Sequence, residues 1–213
     1  RSGVVFLVQD ISQLGGSERQ SLTLAKALVA RGIPVRLLSL TDGVPPRRWL
    51  GDLFVEHRGG VRIYRLPRVV FEALASTLLA RWSDWGTLFA VGTMLGAIAA
   101  RLGRVHAAPV VVKLAGSGAW GDMAALQALA PRARSEVQVD LATTTLICLT
   151  AHMEQEVREA GFPPTCLRRI PNGVDLAAVA KARIVQSHET PTILYVGRLN
   201  LGKGVDVLVE AFS

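Results

Sequence analysis

Cysteine is scarce in this 213-residue chain, which has only Cys148 and Cys166. The two residues lie 18 positions apart, without a paired CxxC spacing or a nearby histidine cluster. This usage argues against a disulfide scaffold and against a zinc site. It favours a reducing compartment. The chain also does not begin with a charged segment followed by an apolar core, the pattern of a secretory signal. We therefore expect a cytoplasmic protein.

Long hydrophobic runs are also missing. The most apolar stretch, residues 88–100, is interrupted by Gly92, Thr93 and Gly96. It is shorter than the roughly 20 residues that a membrane-spanning helix needs. We therefore interpret it as a buried helix.

Aromatic residues contribute only 6% of the chain, whereas the formal net charge is +7. The basic residues are spread along the sequence and no recognition motif accompanies them, so this charge does not predict nucleic-acid binding. An ordinary solvated basic face is the favoured interpretation. The alternative is an anionic acceptor or lipid surface near a few of these residues, namely Arg47, Arg48, Arg65 and Arg68. A peripheral contact with the inner face of a membrane therefore stays open.

Hydrophobic residues make up 50% of the chain, as in a folded globular protein. The continuous apolar run Val4–Val8 predicts a strand that is buried on both faces. Ser17 and Gln20 match an S-x-x-Q capping box, which predicts the start of a helix that ends near Gly32. A strand at Pro34–Leu40 completes a βαβ unit.

The same alternation continues along the chain. It predicts strands at Val61–Leu66, Pro109–Leu114, Thr145–Leu149 and Leu167–Ile170, and helices within Val69–Arg81, Gly92–Leu102, Ala124–Ala130 and Ala151–Ala160. No element is assigned to residues 82–91. Repeated segments of these lengths predict an α/β fold with a Rossmann-like, doubly wound parallel sheet.

The composition changes towards the end of the chain. We predict a first domain at residues 1–176, a polar linker at 177–190 and the start of a second Rossmann-like domain at 191–213. This last part contains a predicted strand, Thr192–Val196, and a helix that begins at Val205. One strand and one helix cannot bury both of their apolar sides, so we expect the second domain to be incomplete.

Two glycine-bearing turns follow predicted strands. Gly15 and Gly16 precede a helix whose first N–H groups can bind an anion. They lack the G-x-G-x-x-G spacing of dinucleotide sites, and a tight turn with a helix cap is an equal alternative. In the second turn, Arg198 and Lys203 lie five residues apart. They can stabilise the negative charge that grows on a departing nucleoside diphosphate, or be two incidental cations of a solvated loop.

Several segments resemble the group 1 (GT4-type) glycosyltransferases: Gly15-Gly16, the RIPNGVD stretch at 169–175, the YVGRL stretch at 195–199, Lys203-Gly204 and Ala211-Phe212. The resemblance covers nearly the whole chain. It implies a GT-B fold and a retaining transfer of sugar from a nucleotide-diphosphate donor to a glycan, lipid-linked or small-molecule acceptor, with no metal or other cofactor. It also implies that Arg198, Lys203, Gly15 and Gly16 bind the donor.

The chain departs from this family where relatives commonly carry a histidine in a T-x-H-G stretch. Here Ala115 takes that place, and no catalytic residue is assigned. Because the surrounding stretch ends a strand at the edge where α/β sheets bind ligands, we predict acceptor contacts from Lys113, Ser117, Trp120 and Asp122. A plain glycine turn is the alternative. His106 and His152 are interpreted as structural.

The family's acidic E-x7-E region does not occur within these 213 residues. We therefore expect the fragment to be inactive alone. Two other interpretations stay open. One is a non-catalytic ligand-binding module, which Ala115 favours, and the other is a sugar-nucleotide epimerase or phosphorylase of the same architecture.

Overall fold

The computed structural model describes residues 3–12, 15–42, 55–181, 192–197, 199 and 203–212. The chain divides into two compact units, Arg1–Asn172 and Gly173–Ser213. The boundary lies inside the PNGVD stretch, between Asn172 and Gly173. The predicted linker lies largely outside the described residues, which resume at Thr192.

The first unit is built on one eight-stranded sheet with the order β3-β4-β2-β1-β5-β6-β7-β8. Its strands are β1 (Gly3–Val8), β2 (Val35–Thr41), β3 (Val55–Arg58), β4 (Val61–Pro67), β5 (Trp85–Val91), β6 (Val110–Lys113), β7 (Thr145–Cys148) and β8 (Leu167–Arg169). Every neighbouring pair is parallel except β3 and β4. The tight glycine turn at 59–60, with both φ angles positive, allows that antiparallel hairpin.

The helices of the first unit are α1 (Gly16–Val29), α2 (Phe71–Arg81), α3 (Thr93–His106), α4 (Asp122–Gln127), α5 (Pro131–Ala142) and α6 (Ala151–Glu159). The second unit contains two further helices, α7 (Leu176–Lys181) and α8 (Val205–Glu210). Among the residues with a described position, no helix is both long and apolar enough to span a bilayer.

Two hydrophobic clusters lie on opposite faces of the sheet. Along β1, Val5 and Leu7 point into one cluster and Phe6 and Val8 into the other, as the two-residue repeat of a strand requires. The first cluster is covered by side chains from α2 to α6, and the second by α1. Because helices pack on both faces of a largely parallel sheet, the predicted doubly wound α/β fold is confirmed.

The predicted capping box at the start of α1 is wrong. Gly15, in an extended conformation (φ −79°, ψ 179°), caps the helix and gives it no side-chain hydrogen bond. Ser17 already lies inside the helix, and its carbonyl accepts a hydrogen bond from the Ser21 hydroxyl.

The interpretation of 88–100 as one buried helix is also wrong. Its first part belongs to β5, and α3 begins only at Thr93. Gly92 separates the two elements with a φ of +81°, a conformation that glycine adopts at no steric cost. Four more elements were not predicted: β3, the amino-terminal part of β5, α7, and α5, which starts at Pro131.

The predicted strand at Thr192–Val196 is not present in the structure, where these residues belong to no helix or strand. A strand is defined by backbone pairing with a neighbour. Among the described residues, all eight strands belong to the first unit. The predicted helix that follows is present as α8.

Candidate functional site

The sheet of the first unit reverses its strand order beside β1. From β1 the chain moves through β2 to β4 on one side, and β5 returns to the other side of β1. The carboxyl ends of parallel strands share one edge, and ligands of such sheets bind outside that edge at the reversal. The loops that follow β1, β5 and β6 therefore define the candidate site.

The loop after β1 leads into α1 through the predicted Gly15 and Gly16. With a glycine cap and no capping side chain, the first N–H groups of α1 have no partner within the helix. A Cβ atom built on Gly16 would meet nothing within 4 Å. The start of α1 is thus open, and its N–H groups and the positive end of the helix dipole favour an anion.

Buried Ser39 of β2 holds the first part of this loop. Its hydroxyl accepts a hydrogen bond from Ile11 N (3.0 Å) and donates one to Gln9 O (3.0 Å). Ser39 was not predicted as a site residue. A serine inside an otherwise apolar strand was the available signal, because a buried hydroxyl needs a partner.

Lys113 ends β6, two strands away from β1 on the same edge. Its side chain is half-buried, and this burial lowers the pKa of its ammonium group below the ordinary value. No carboxylate among the described residues forms an ion pair with it. A half-buried cation of this kind is suited to an anionic ligand group.

Asp122 occupies the first position of α4 and is 9% exposed. Its Oδ2 accepts hydrogen bonds from Ala115 N (2.6 Å) and Gly116 N (3.0 Å). Its Oδ1 accepts one from Thr93 N, the first residue of α3, at 2.9 Å. The carboxylate thus joins the loop after β6 to the loop after β5. The predicted acceptor contact of Asp122 stays a prediction, and the structure gives its carboxylate three backbone partners.

The other two predicted acceptor residues lie on the loop between β6 and α4. Ser117 and Trp120 are both exposed, and Trp120 belongs to a single 3-10 turn, Gly118–Trp120. Glu156 of α6 fixes this turn, because its Oε1 accepts a hydrogen bond from Gly118 N at 2.7 Å. Glu156 was not predicted, since 38 residues separate it from Gly118 and no sequence pattern links them.

Ala115 contributes its backbone to the site. Its N–H donates a hydrogen bond to Asp122 Oδ2. His106 and His152 have the structural contacts expected of them: the ring of His106 lies edge-on to Trp85 and reaches Ser76 Oγ at 3.2 Å, whereas His152 lies 3.4 Å from Glu156.

In the second unit, Lys203 is exposed and comes just before Gly204, which caps α8 with a φ of +65°. Arg198 lies outside the described residues.

Six of the predicted site residues lie at one edge of the sheet in the first unit: Gly15, Gly16, Lys113, Ser117, Trp120 and Asp122. Where the structure describes the chain, no group of three or more His, Cys, Asp or Glu side chains is arranged to hold a metal ion.

A doubly wound sheet whose first helix begins with glycine at the reversal of strand order is a Rossmann-like domain. Sequence comparison defines it further. The chain belongs to the glycosyl transferase 4-like domain family, whose model matches residues 15–173. The predicted resemblance to GT4-type glycosyltransferases is therefore confirmed. Among curated proteins, none matches the chain significantly in sequence.

Solved structures with the GT-B fold are similar to the chain. Sucrose-phosphate synthase from Thermosynechococcus elongatus superimposes with a TM-score of 0.67 at 19% identity, over 99% of this chain and 59% of that protein. Anabaena Alr3699/HepE in complex with UDP and glucose gives 0.60 at 14% identity, over 83% and 46%. The E. coli trehalose-6-phosphate structure with UDP-2-fluoro glucose gives 0.57 at 11% identity, over 86% and 52%. The chain thus spans about half the length of these proteins, and at such identities the likeness establishes the fold.

Proposed function

We propose that the protein to which this chain belongs transfers a sugar from a nucleoside-diphosphate donor to a glycan, a lipid-linked sugar or a small molecule. The observation that carries this proposal is the family match over residues 15–173, which contains the open start of α1 and the loops after β5 and β6. UDP-sugars are the first donors to test, because Alr3699/HepE and the E. coli protein hold UDP or a UDP-sugar.

In this proposal two kinds of group, backbone N–H groups and cationic side chains, bind the donor diphosphate. The N–H groups at Gly15 and Gly16 approach one phosphate, and Arg198 and Lys203 neutralise the charge on the leaving diphosphate. Preoriented cations stabilise such charge more in the transition state than in the ground state, which accelerates the reaction. We further propose that the anomeric configuration is retained and that no metal or other cofactor takes part.

We also propose that the complete activity requires a second domain of which residues 191–213 are the beginning. The chain covers between 46% and 59% of the three similar structures. The fragment alone is then inactive. The proposed location is the cytoplasm, with a peripheral contact at the inner membrane face as an additional possibility for lipid-linked acceptors.

The test uses a form of the protein that extends beyond Ser213, incubated with a panel of nucleotide sugars and candidate acceptors. Release of nucleoside diphosphate that depends on the acceptor is the expected result, and NMR of the product reports the anomeric configuration. Absence of release with every donor, together with absence of nucleotide binding by calorimetry, contradicts the proposal. Activity that a chelator abolishes contradicts its metal-free part.

Substitution of the two cations tests their role. Arg198→Ala and Lys203→Ala are each expected to lower kcat/KM about 10- to 100-fold, since a charged hydrogen bond contributes about 1.5–3 kcal/mol. Arg132→Ala is the matched control, because its side chain is 93% exposed and forms an ion pair with Glu136 on the same helix. Equal effects of all three substitutions show that general charge, and not a donor contact, is responsible.

A non-catalytic ligand-binding module is the second candidate, and Ala115 favours it. Ala115 follows the carboxyl end of β6 and has no imidazole, so the histidine that relatives commonly carry there is missing. Calorimetry separates the two candidates: nucleotide binding without turnover in the extended protein supports the module. If the extended protein turns over substrate, and the Ala115→His substitution increases its rate, the result supports the transferase proposal.

A further inference from the structure

The seven residues from Ala115 to Gly121, here called the β6–α4 loop, are tied down at their base and at their tip. At the base, Asp122 accepts two hydrogen bonds from the loop, and its own N–H donates to Gly116 O at 3.1 Å. At the tip, Gly118 N donates to Glu156, and Gly121 N returns to Gly118 O at 2.9 Å. Five hydrogen bonds therefore fix the path of this short segment.

Close backbone packing limits the loop further. A Cβ atom on Gly121 would lie 2.5 Å from Ser117 Cα and 2.7 Å from Gly116 O, so the two ends of the loop touch backbone to backbone. Gly118 adopts a φ of +71°, in the region that favours glycine. Side chains carried by this loop are consequently presented from a fixed backbone.

Trp120, at the tip of this loop, is 80% exposed. No hydrogen bond or ring contact joins its indole to any residue that the structure describes. The two other described tryptophans are engaged: Trp85 donates to Leu79 O, and Trp82 lies against Tyr64 and under the Arg36 guanidinium. A large aromatic surface is thus held outward on a constrained loop at the ligand-binding edge of the sheet.

We propose that the β6–α4 loop is a preformed subsite for a sugar ring of the acceptor, with Trp120 as its stacking surface and Asp122 and Glu156 as positioning residues. This inference rests on the proposed function and names the acceptor class as a saccharide or a saccharide-bearing molecule. The face of an indole carries negative potential, and a pyranose presents a face of C–H groups with positive potential, so the two surfaces stack. The Ser117 hydroxyl, also exposed, supplies hydrogen bonding beside the ring.

The composition of the loop favours a sugar over a membrane or a protein partner. The β6–α4 loop reads AGSGAWG and contains no lysine or arginine, and Lys113, two residues before it, is half-buried. Binding to anionic lipid relies on several exposed basic side chains. A single indole among glycine, alanine and serine also offers far less apolar area than a protein interface needs. A sugar ring matches this small, rigid platform in size.

Saccharide binding to the 213-residue chain tests the subsite without any donor. Saturation-transfer NMR with a panel of methyl glycosides is expected to show contact at the ring protons of at least one glycoside. Trp120→Ala should then weaken binding about tenfold, and Trp120→Phe should retain most of it. Val105→Ala is the control, because Val105 is 71% exposed but lies near the end of α3 that is remote from this edge. No contact with any glycoside, or equal affinity of the Trp120→Ala chain, overturns the proposal.

The positioning roles have a separate readout. Glu156→Ala should speed hydrogen exchange of the Gly118 amide and weaken glycoside binding, whereas Glu156→Gln keeps an acceptor oxygen and should restore both. Asp122→Ala should deprotect the Ala115 and Gly116 amides in the same way. If hydrogen exchange of these amides becomes faster while the affinity for the glycoside is unchanged, Glu156 and Asp122 do not act as positioning residues. No nucleotide is present in this assay, so the two proposals fail separately. Absence of saccharide binding by the unsubstituted chain overturns this inference, whereas absence of both diphosphate release and nucleotide binding in the extended protein overturns the proposed function.

Discussion

The carboxylate of Asp122 accepts a hydrogen bond from the N–H of Thr93 at 2.9 Å, although the two residues begin different helices and lie 29 positions apart. The same side chain also binds two N–H groups of the β6–α4 loop. One buried carboxylate therefore satisfies three backbone donors from two neighbouring crossovers. Gly92 makes room for it, because a Cβ atom there would lie 3.2 Å from Asp122 Oδ1.

Asp122→Ala is expected to lower the free energy of unfolding by about 2–4 kcal/mol, because hydrogen bonds to a charged acceptor contribute most and three donors lose their partner. Urea unfolding followed by circular dichroism measures the change. Asp42→Ala is the matched control, since Asp42 forms an exposed pair with Arg68 and its loss should leave the unfolding midpoint unchanged. Equal midpoints for the two variants contradict the assigned importance of Asp122.

Gly103→Ala should destabilise the first unit, although alanine normally favours a helix interior. A Cβ atom on Gly103 would overlap Val110 Cγ2 and lie 2.8 Å from the backbone oxygen of Ala108. Overpacking costs about 1–3 kcal/mol and exceeds the helix gain of about 1 kcal/mol. Gly16→Ala is the comparison, because its Cβ meets no atom within 4 Å, and it should be neutral or stabilising. Thermal unfolding distinguishes the two, and a higher melting temperature for Gly103→Ala refutes the packing argument.

The local patterns of the sequence predicted β1, α1 and β2 well, apart from the cap of α1. Buried parallel strands are continuous apolar runs, and such runs are visible without tertiary information. The predicted helix within Gly92–Leu102 is present as α3, whereas β5 was missed because apolar residues occur on both sides of Gly92. α5 was missed because its sequence, PRARSEVQVDLA, is polar around most of its circumference, so no apolar stripe marks it.

The candidate site was predictable only in part. Strand ends and glycine turns located the residues on one edge, because parallel strands place their carboxyl ends together. The hydrogen bond from Thr93 to Asp122 and the one from Gly118 to Glu156 each join segments that are far apart in the sequence. A sequence pattern contains no information on such pairs.

The ion pair between Arg36 and Asp84 predicts a loss of stability in acid. Arg36 donates two hydrogen bonds to the carboxylate, at 2.6 and 3.0 Å, and thereby lowers the pKa of Asp84 below its ordinary value of 3.8. Because the pKa of Asp84 is lower in the folded state, the ion pair stabilises the protein fully at pH values above 3.8. This stabilisation is lost as the pH falls through the folded-state pKa. Asp84 is 47% exposed, so the contribution is below about 1 kcal/mol.

The measurement compares the chain with its Asp84→Asn variant in urea at several pH values. The difference in unfolding free energy should be present at neutral pH and disappear as the pH falls through the folded-state pKa of Asp84, which lies below 3.8. A difference that is independent of pH shows that the carboxylate charge is not responsible.

Cys148 is expected to resist thiol reagents while the chain is folded. It is fully buried, and this burial raises the pKa of its thiol to about 11, so almost no thiolate forms at mildly alkaline pH. In a Cys166→Ser variant, which leaves Cys148 as the only cysteine, labelling by Ellman's reagent should be slow and should accelerate in urea. Rapid labelling of the folded variant contradicts the buried position.

The two outermost strands, β3 and β8, give the sheet a particular resistance to aggregation. An edge strand offers unpaired N–H and C=O groups to other molecules, and long apolar edges recruit them. Here the edges are short: β3 includes Glu56, His57 and Arg58, and β8 includes Arg168 and Arg169. The strongly apolar strands therefore stay in the interior of the sheet, shielded by charged borders that make edge-to-edge stacking of copies unfavourable.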